Sequence, residues 1–178
     1  NIIKKYFIKT KIKAPIKHLN YLYLENNFLK NQNSFNYNQK IKKDLSQTYI
    51  AIGFPAYSIN NPKHYTLNVL KTLLCGNMSS RLFIKLREKE GLIYNIRCSY
   101  EDYSYVGAFI IQLGTFGDIK STKKCIDIII KELKDLKTNK ISKEELLDSI
   151  NYITGNFKIN EEDSENIASF YSELILHR

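Results

Sequence analysis

The sequence has few cysteines and no long apolar run. Its three cysteines, Cys75, Cys98 and Cys125, are odd in number and widely spaced, and no C-x-x-C is present. This spacing argues against a disulfide framework or a zinc knuckle, so we expect buried, reduced thiols. No apolar stretch approaches the roughly 20 residues that cross a bilayer, and the first residues lack the apolar region of a signal peptide. We therefore expect no membrane partner, and a cytoplasmic or organellar reducing compartment rather than secretion.

The sequence also lacks the local motifs of a complete catalytic site. Its histidines, His18, His64 and His177, are too far apart to form an H-x-x-E-H element. No nucleophile elbow, P-loop or dinucleotide-binding glycine motif is present. His64 lies in the first turn of a predicted helix, where we expect an isolated surface histidine. We expect this chain alone to bind no metal and no other cofactor.

The net charge of +9 is concentrated at the N-terminal end of the chain. Residues 1–43 contain ten lysines and one acidic residue, Glu25, whereas the numbers of basic and acidic residues in the rest are equal. Lysine cannot make the bidentate contacts with bases that arginine makes. We predict that residues 1–43 are a basic linker or arm with the tail of a preceding element, and we expect no nucleic-acid partner. A nucleic-acid module is the alternative, and its binding would weaken steeply with salt.

From Leu45 onward, apolar periodicity predicts a regular series of elements. These are a strand over 47–57, helices over 60–76 and 79–91, a hairpin of strands over 92–100 and 106–116, helices over 119–136 and 141–157, and a helix from about 164 to the end. A capping box, Ser142 with Glu145, opens the helix over 141–157. The order predicts an α+β domain over 44–178, with a largely antiparallel sheet and helices packed on one face. We expect this domain to be truncated at its C-terminal end and the chain to be part of a longer protein.

The stretch LREKEGLIYNI, residues 86–96, holds the candidate functional pair, Arg87 and Tyr94. A guanidinium and a phenol can both donate hydrogen bonds to a carbonyl oxygen or an oxyanion. A helix end at Gly91 could bring both side chains to one rim. The alternative is an arginine at an exposed helix end and a tyrosine in the core.

The expected orientation of Tyr94 follows from strict strand alternation. On this basis Tyr94 shares its face with Ile96 and Cys98, whereas Ile93 and Asn95 point the other way.

A longer block around this pair resembles a known family. The segment LLCGNMSSRLFIKLREKEGLIYNIRCSYEDYSYVGAFIIQLGT is similar to a stretch in the C-terminal half of pitrilysin- or insulinase-type zinc metallopeptidases. That family includes insulin-degrading enzyme and the mitochondrial processing peptidase. The resemblance extends over about residues 43–175 and includes the entry strand KKDLSQTYIAIGFP. It implies the α+β domain of a metallopeptidase half.

The resemblance also implies a function and roles for the candidate pair. In this family the N-terminal half carries the zinc and a water-activating glutamate, and it faces the C-terminal half across a chamber. By the matching motif, Tyr94 would donate a hydrogen bond to the scissile carbonyl as it becomes tetrahedral, and Arg87 would hold a neighbouring backbone carbonyl. This chain would be the chamber-forming, substrate-binding half of a zinc endopeptidase that cleaves peptides or small unfolded polypeptides. It would be inactive alone and would pair with the zinc-binding half, in the same chain or in a partner subunit. A non-catalytic scaffolding subunit of the same fold is the alternative.

Overall fold

A computed structural model describes residues 47–176, so the predicted basic arm lies outside the described residues and stays a prediction. The elements in this range are β1 (Gln47–Ala56), α1 (His64–Cys75), α2 (Arg81–Phe83), a π-helix (Ile84–Lys89), β2 (Ile93–Asp102), β3 (Gly107–Phe116), α3 (Ile119–Thr138), α4 (Lys143–Asn160) and α5 (Ser164–Leu176). Their order agrees with the sequence prediction.

Within residues 47–176, three strands form an antiparallel sheet in the order β1-β3-β2. In the pairing of β1 with β3, Ile50 lies opposite Leu113 and Phe54 lies opposite Phe109. Side chains at alternate positions therefore face the same side of the sheet. This register places the buried apolar residues of all three strands on one face.

The helices cover that apolar face, as predicted. Leu74 of α1, Leu82 of α2 and Ile129 of α3 are fully buried in one cluster with Ile111 of β3. Full burial of such a side chain contributes roughly 1.5–3 kcal/mol. The opposite face of the sheet, which we call the open face, carries the exposed side chains of Tyr49, Gln112 and Phe116, among others. The α+β class and the one-sided helix packing are confirmed.

Helix α4 begins with the predicted capping box but keeps much of its apolar surface exposed. The capping box is present, since Ser142 Oγ accepts a hydrogen bond from the Glu145 amide and Glu145 Oε2 accepts one from the Ser142 amide. Large apolar side chains on α4 and α5 are nevertheless exposed, among them Leu147, Phe157, Tyr171 and Ile175. A surface of this kind is typical of contact with another polypeptide.

The expectation of reduced thiols is wrong for two of the three cysteines. Cys75 at the end of α1 and Cys98 in β2 form a disulfide, with their Cα atoms 5.5 Å apart. Sequence spacing missed this pair because α1 packs across β2, which brings together residues 23 positions apart. Cys125 is a buried free thiol, as expected, and burial raises its pKa. The prediction of a reducing compartment, based on free thiols, stays a prediction.

Reduction of the Cys75–Cys98 disulfide should lower the free energy of unfolding. A loop of 23 residues corresponds to about 3 kcal/mol of lost chain entropy in the unfolded state. Urea denaturation with and without dithiothreitol would measure this difference. The variant Cys75→Ser should unfold at the same urea concentration in both conditions. An equal response of Cys75→Ser and the unchanged chain to dithiothreitol would contradict the assignment.

Candidate functional site

Arg87 and Tyr94 lie side by side. Arg87 belongs to the π-helix that follows α2, and Tyr94 is the second residue of β2. The guanidinium Nη1 of Arg87 donates a hydrogen bond to the backbone oxygen of Tyr94 at 3.0 Å. Both residues are exposed. The two residues predicted from the sequence therefore lie next to each other at the exposed surface where the π-helix meets β2.

The predicted orientation of Tyr94 is wrong, because a β-bulge interrupts the alternation. Ile93 lies opposite Thr115, and Asn95 lies opposite Gly114, so Tyr94 is an extra residue between two consecutive partners on β3. Ile93 stays in the core, whereas Tyr94 keeps 45% of its surface exposed. A bulge adds one residue to one strand and shifts the facing of the residues before it. Tyr94 is therefore not a core tyrosine.

Aromatic contacts support both side chains. The guanidinium of Arg87 lies over the ring of Phe83 at 5.2 Å from the centroid, a cation–π arrangement. The ring of Tyr94 packs edge-on against Phe116, with centroids 4.9 Å apart and an interplanar angle of 61°. These contacts restrict the positions of the two donors.

A glycine turn connects the two residues. Gly91 adopts φ 60, and its amide donates to the Arg87 carbonyl at 3.1 Å. The next amide, of Leu92, donates to the Leu86 carbonyl at 2.9 Å. Glycine adopts this left-handed conformation without the steric penalty of a side chain. The turn therefore determines where the helix end stands relative to β2.

Replacing Gly91 with alanine should destabilise the domain by about 1 kcal/mol, because an L-residue in the left-handed region is strained. The change in the free energy of unfolding can be measured by urea denaturation. Gly53→Ala is the matched control, since a Cβ at Gly53 also meets open space and the backbone there is not left-handed. Equal stability of the two variants would rule out a strained turn at Gly91.

Asn95 and Gly114 are site residues that the sequence reasoning missed. Asn95 Oδ1 accepts a hydrogen bond from the Gly114 amide at 3.0 Å, next to the bulge. A glycine within a strand pattern is itself a signal for a bulge or for close approach of another group. That signal was present in β3.

An ion-pair cluster, also missed, lies where α2, α3 and α4 meet. Arg81 donates from Nε and Nη2 to both carboxylate oxygens of Glu145, at 2.8 and 2.9 Å, and from Nη1 to Glu132 at 3.0 Å. Glu132 is only 1% exposed, and Lys85 also binds it. The hydrogen bond from Arg81 lowers the pKa of Glu145 to about 2, and the same bond raises the pKa of Arg81. This cluster joins α2, α3 and α4.

Acid should weaken the link between Arg81 and Glu145. The folded-state pKa of Glu145 lies below its ordinary value of 4.5, so its contribution is complete above pH 4.5 and is lost as the pH falls towards 2. We expect a loss of about 1 kcal/mol, because solvent screens a carboxylate that is 38% exposed. Urea denaturation at pH 7 and pH 3 would show it. Glu145→Gln should remove this part of the pH dependence, whereas Glu144→Gln, at an exposed position, should retain it.

Outside this region, the structure pairs one histidine that was expected to be isolated. His64 Nδ1 lies 3.2 Å from Asp102 Oδ2, and the histidine side chain is only 14% exposed. The expectation of a lone surface histidine is wrong because the end of β2 packs against the start of α1.

Neither a metal site nor a membrane span is found in the described part of the chain. Among residues 47–176, no group of three or more histidine, cysteine, aspartate or glutamate side chains could hold a metal ion. No helix in this range is long and apolar enough to cross a bilayer. These residues therefore do not fit a zinc ion.

The fold of the described residues is that of a domain in solved proteins. A solved protease from Helicobacter pylori superposes with a TM-score of 0.68, over 76% of this chain and 33% of that chain, at 21% sequence identity. At this level of sequence identity, the structural similarity shows the fold alone.

The family model described as the peptidase M16 inactive domain matches residues 1–152, and the chain belongs to this family. An uncharacterized zinc protease of Rickettsia felis is 33% identical over 143 residues, which is 76% of this chain and 33% of that protein. The uncharacterized zinc protease YmxG of Bacillus subtilis is 30% identical over 128 residues, which is 72% of this chain and 31% of that protein. The chain thus spans about a third of the length of these curated relatives.

Proposed function

We propose that this chain is the substrate-binding, chamber-forming C-terminal half-domain of a zinc-dependent endopeptidase that acts on peptides or small unfolded polypeptides. The observation that carries the proposal is the pairing of Arg87 with the exposed Tyr94 on one rim. Membership of the peptidase M16 inactive domain family and relatives named zinc proteases support it. In this proposal the zinc belongs to the N-terminal half, in the same chain or a partner subunit, where it supplies Lewis-acid activation of the attacking water.

The two side chains suit complementary tasks in peptide cleavage. The Tyr94 phenol donates a hydrogen bond to the scissile carbonyl oxygen, and this bond strengthens as negative charge develops there. Arg87 uses one of its five N–H donors on the Tyr94 backbone, which leaves others for a neighbouring carbonyl of the substrate. Since Phe83 and Phe116 already hold both groups, little reorganisation is needed when the substrate binds.

The exposed apolar surface of α4 and α5 supports a further polypeptide partner. In the proposed assembly this partner is the zinc-binding half. A non-catalytic scaffold of the same fold would use the same surface, so the surface does not distinguish the two functions. Catalytic activity of the complete assembly distinguishes the peptidase from the scaffold.

A peptidase assay tests the proposal. The chain alone should cleave no internally quenched peptide, whereas the chain fused to or mixed with its N-terminal half should cleave it. Arg87→Ala should lower kcat/KM by roughly tenfold to a hundredfold, the effect of a lost charged hydrogen bond. Intact kcat/KM in both Arg87→Ala and Tyr94→Phe would refute the assigned roles. A complete, zinc-loaded assembly that cleaves no peptide would favour the scaffold.

A further inference from the structure

The position of Tyr94 depends on how the bulge in β2 is held. A bulged residue has no partner in the strand ladder, and bulges commonly redirect a side chain next to an active site. Tyr94 is that residue, since its neighbours Ile93 and Asn95 pair with consecutive residues of β3. An unsupported bulge would let the phenol move. The groups that bind the two strands together at this point therefore decide the geometry of the site.

Asn95 makes the side-chain contact across the strands at the bulge. Its Oδ1 accepts the amide of Gly114, its own register partner, at 3.0 Å. Gly114 lies in the central strand, β3. A Cβ at position 114 would meet Asn95 Oδ1 at 3.0 Å. The glycine thus permits the close approach of the Asn95 amide group.

Two hydrogen bonds from other side chains to backbone oxygens of this segment lie nearby. Thr115 Oγ1 donates to the Leu92 carbonyl at 2.6 Å, just before the bulge. The Tyr94 carbonyl accepts from Arg87. The hydrogen bond from Gly114 to Asn95 differs from these two, because Asn95 is next to Tyr94 in the chain and because the bond connects β2 to β3 on the open face. We infer that Asn95 is a positioning residue, which fixes the bulge through Gly114 and so holds the Tyr94 side chain in place against Phe116. This inference rests on the proposed function, which gives Tyr94 its catalytic role.

A structural readout tests the inference without reference to activity. In the complete protein, Asn95→Ala should speed amide hydrogen exchange in the β3 peptide containing Gly114 by at least about tenfold. It should also shift the ¹⁹F resonance of 3-fluorotyrosine at position 94, assigned by its absence in Tyr94→Phe. Asn95→Asp keeps an oxygen acceptor and should preserve both signals. Gln112→Ala, at an exposed position of β3, is the matched control and should change neither.

Kinetics tests the link to Tyr94. Asn95→Ala should lower kcat by about 10- to 100-fold with KM within about twofold, since a displaced catalytic group mainly affects the chemical step. Asn95→Asp should restore most of kcat. In a Tyr94→Phe background, Asn95→Ala should cause no further loss, because Asn95 acts through Tyr94. Gly114→Ala should reproduce the effects of Asn95→Ala by displacing the same amide.

The outcomes separate failure of this inference from failure of the proposed function. Unchanged exchange at Gly114 and an unchanged Tyr94 resonance in Asn95→Ala would overturn the inference. If Asn95→Ala does not fold, native signals in Gly114→Ala would overturn it instead. A shifted Tyr94 resonance together with full activity of Tyr94→Phe would reject the proposed function while leaving the positioning role intact. Additive losses in the double variant would also overturn the inference, since they would show that Asn95 acts independently of Tyr94.

Discussion

Under the proposed function, replacing Tyr94 with phenylalanine should lower kcat of the complete protein by about a hundredfold or more, with little change in KM. Loss of one preorganised donor to a developing oxyanion typically reduces kcat by roughly 10²–10³. KM should change little because the phenol interacts mainly with the negative charge that develops in the transition state, and the bound substrate does not yet carry this charge. The variant keeps the ring that packs against Phe116, so the fold is preserved. Steady-state kinetics on an internally quenched peptide would measure both parameters.

Tyr49→Phe is the matched control for this experiment. Tyr49 is an exposed tyrosine on the open face of the sheet, and its substitution removes the same hydroxyl group. Its hydroxyl donates to Gln47, two residues away. We expect kcat of Tyr49→Phe to stay within about twofold of the unchanged protein, as for a surface substitution without a catalytic role. Equal losses in the two variants would mean that Tyr94 has no special part in the reaction.

The second large effect should come from the ion-pair cluster. Arg81→Met should lower the free energy of unfolding by about 3 kcal/mol, because it leaves the buried carboxylate of Glu132 with Lys85 alone. It also removes the two-point link between α2 and α4 through Glu145. Urea denaturation of the chain would give the difference directly. Arg97→Met, at an exposed position of β2, should change stability by less than about 0.5 kcal/mol.

A double variant shows whether Arg81→Met destabilises the domain by leaving a buried charge unpaired or by removing packing contacts. If the cost of Arg81→Met is the uncompensated Glu132 carboxylate, then Glu132→Met in the Arg81→Met background should recover about 1 kcal/mol or more. Lost packing predicts the reverse, a double variant that is less stable than the single one. Whether the double variant is more or less stable than Arg81→Met therefore decides between the two explanations.

Regular elements were predictable wherever the decisive interactions are local. Apolar periodicity predicted a strand over 47–57, and Ile50, Ile52 and Phe54, at alternate positions of β1, all pack against the core. The capping box of Ser142 and Glu145 spans three residues and is present as predicted. In both cases the physical cause lies within a few positions of the residue concerned.

The candidate site was predictable only in part. The sequence resemblance selected Arg87 and Tyr94, and the structure places them in contact. The sequence resemblance did not reveal that residues 84–89 are π-helical or that Tyr94 lies in a bulge. Strict alternation placed Tyr94 on the wrong face, because one inserted residue reverses the facing of the residues before it.

The sequence by itself determined the order of the elements, the fold class, the capping box and the glycine turn at Gly91, since these follow from periodicity and from conformational preferences of neighbouring residues. Only the tertiary structure decided the exposure of Tyr94, the contact of Asn95 with Gly114, the burial of Glu132 and the joining of Cys75 to Cys98. Each of these depends on which strand or helix packs beside another. Such contacts join residues that are distant in the chain, and local preferences carry no information about them.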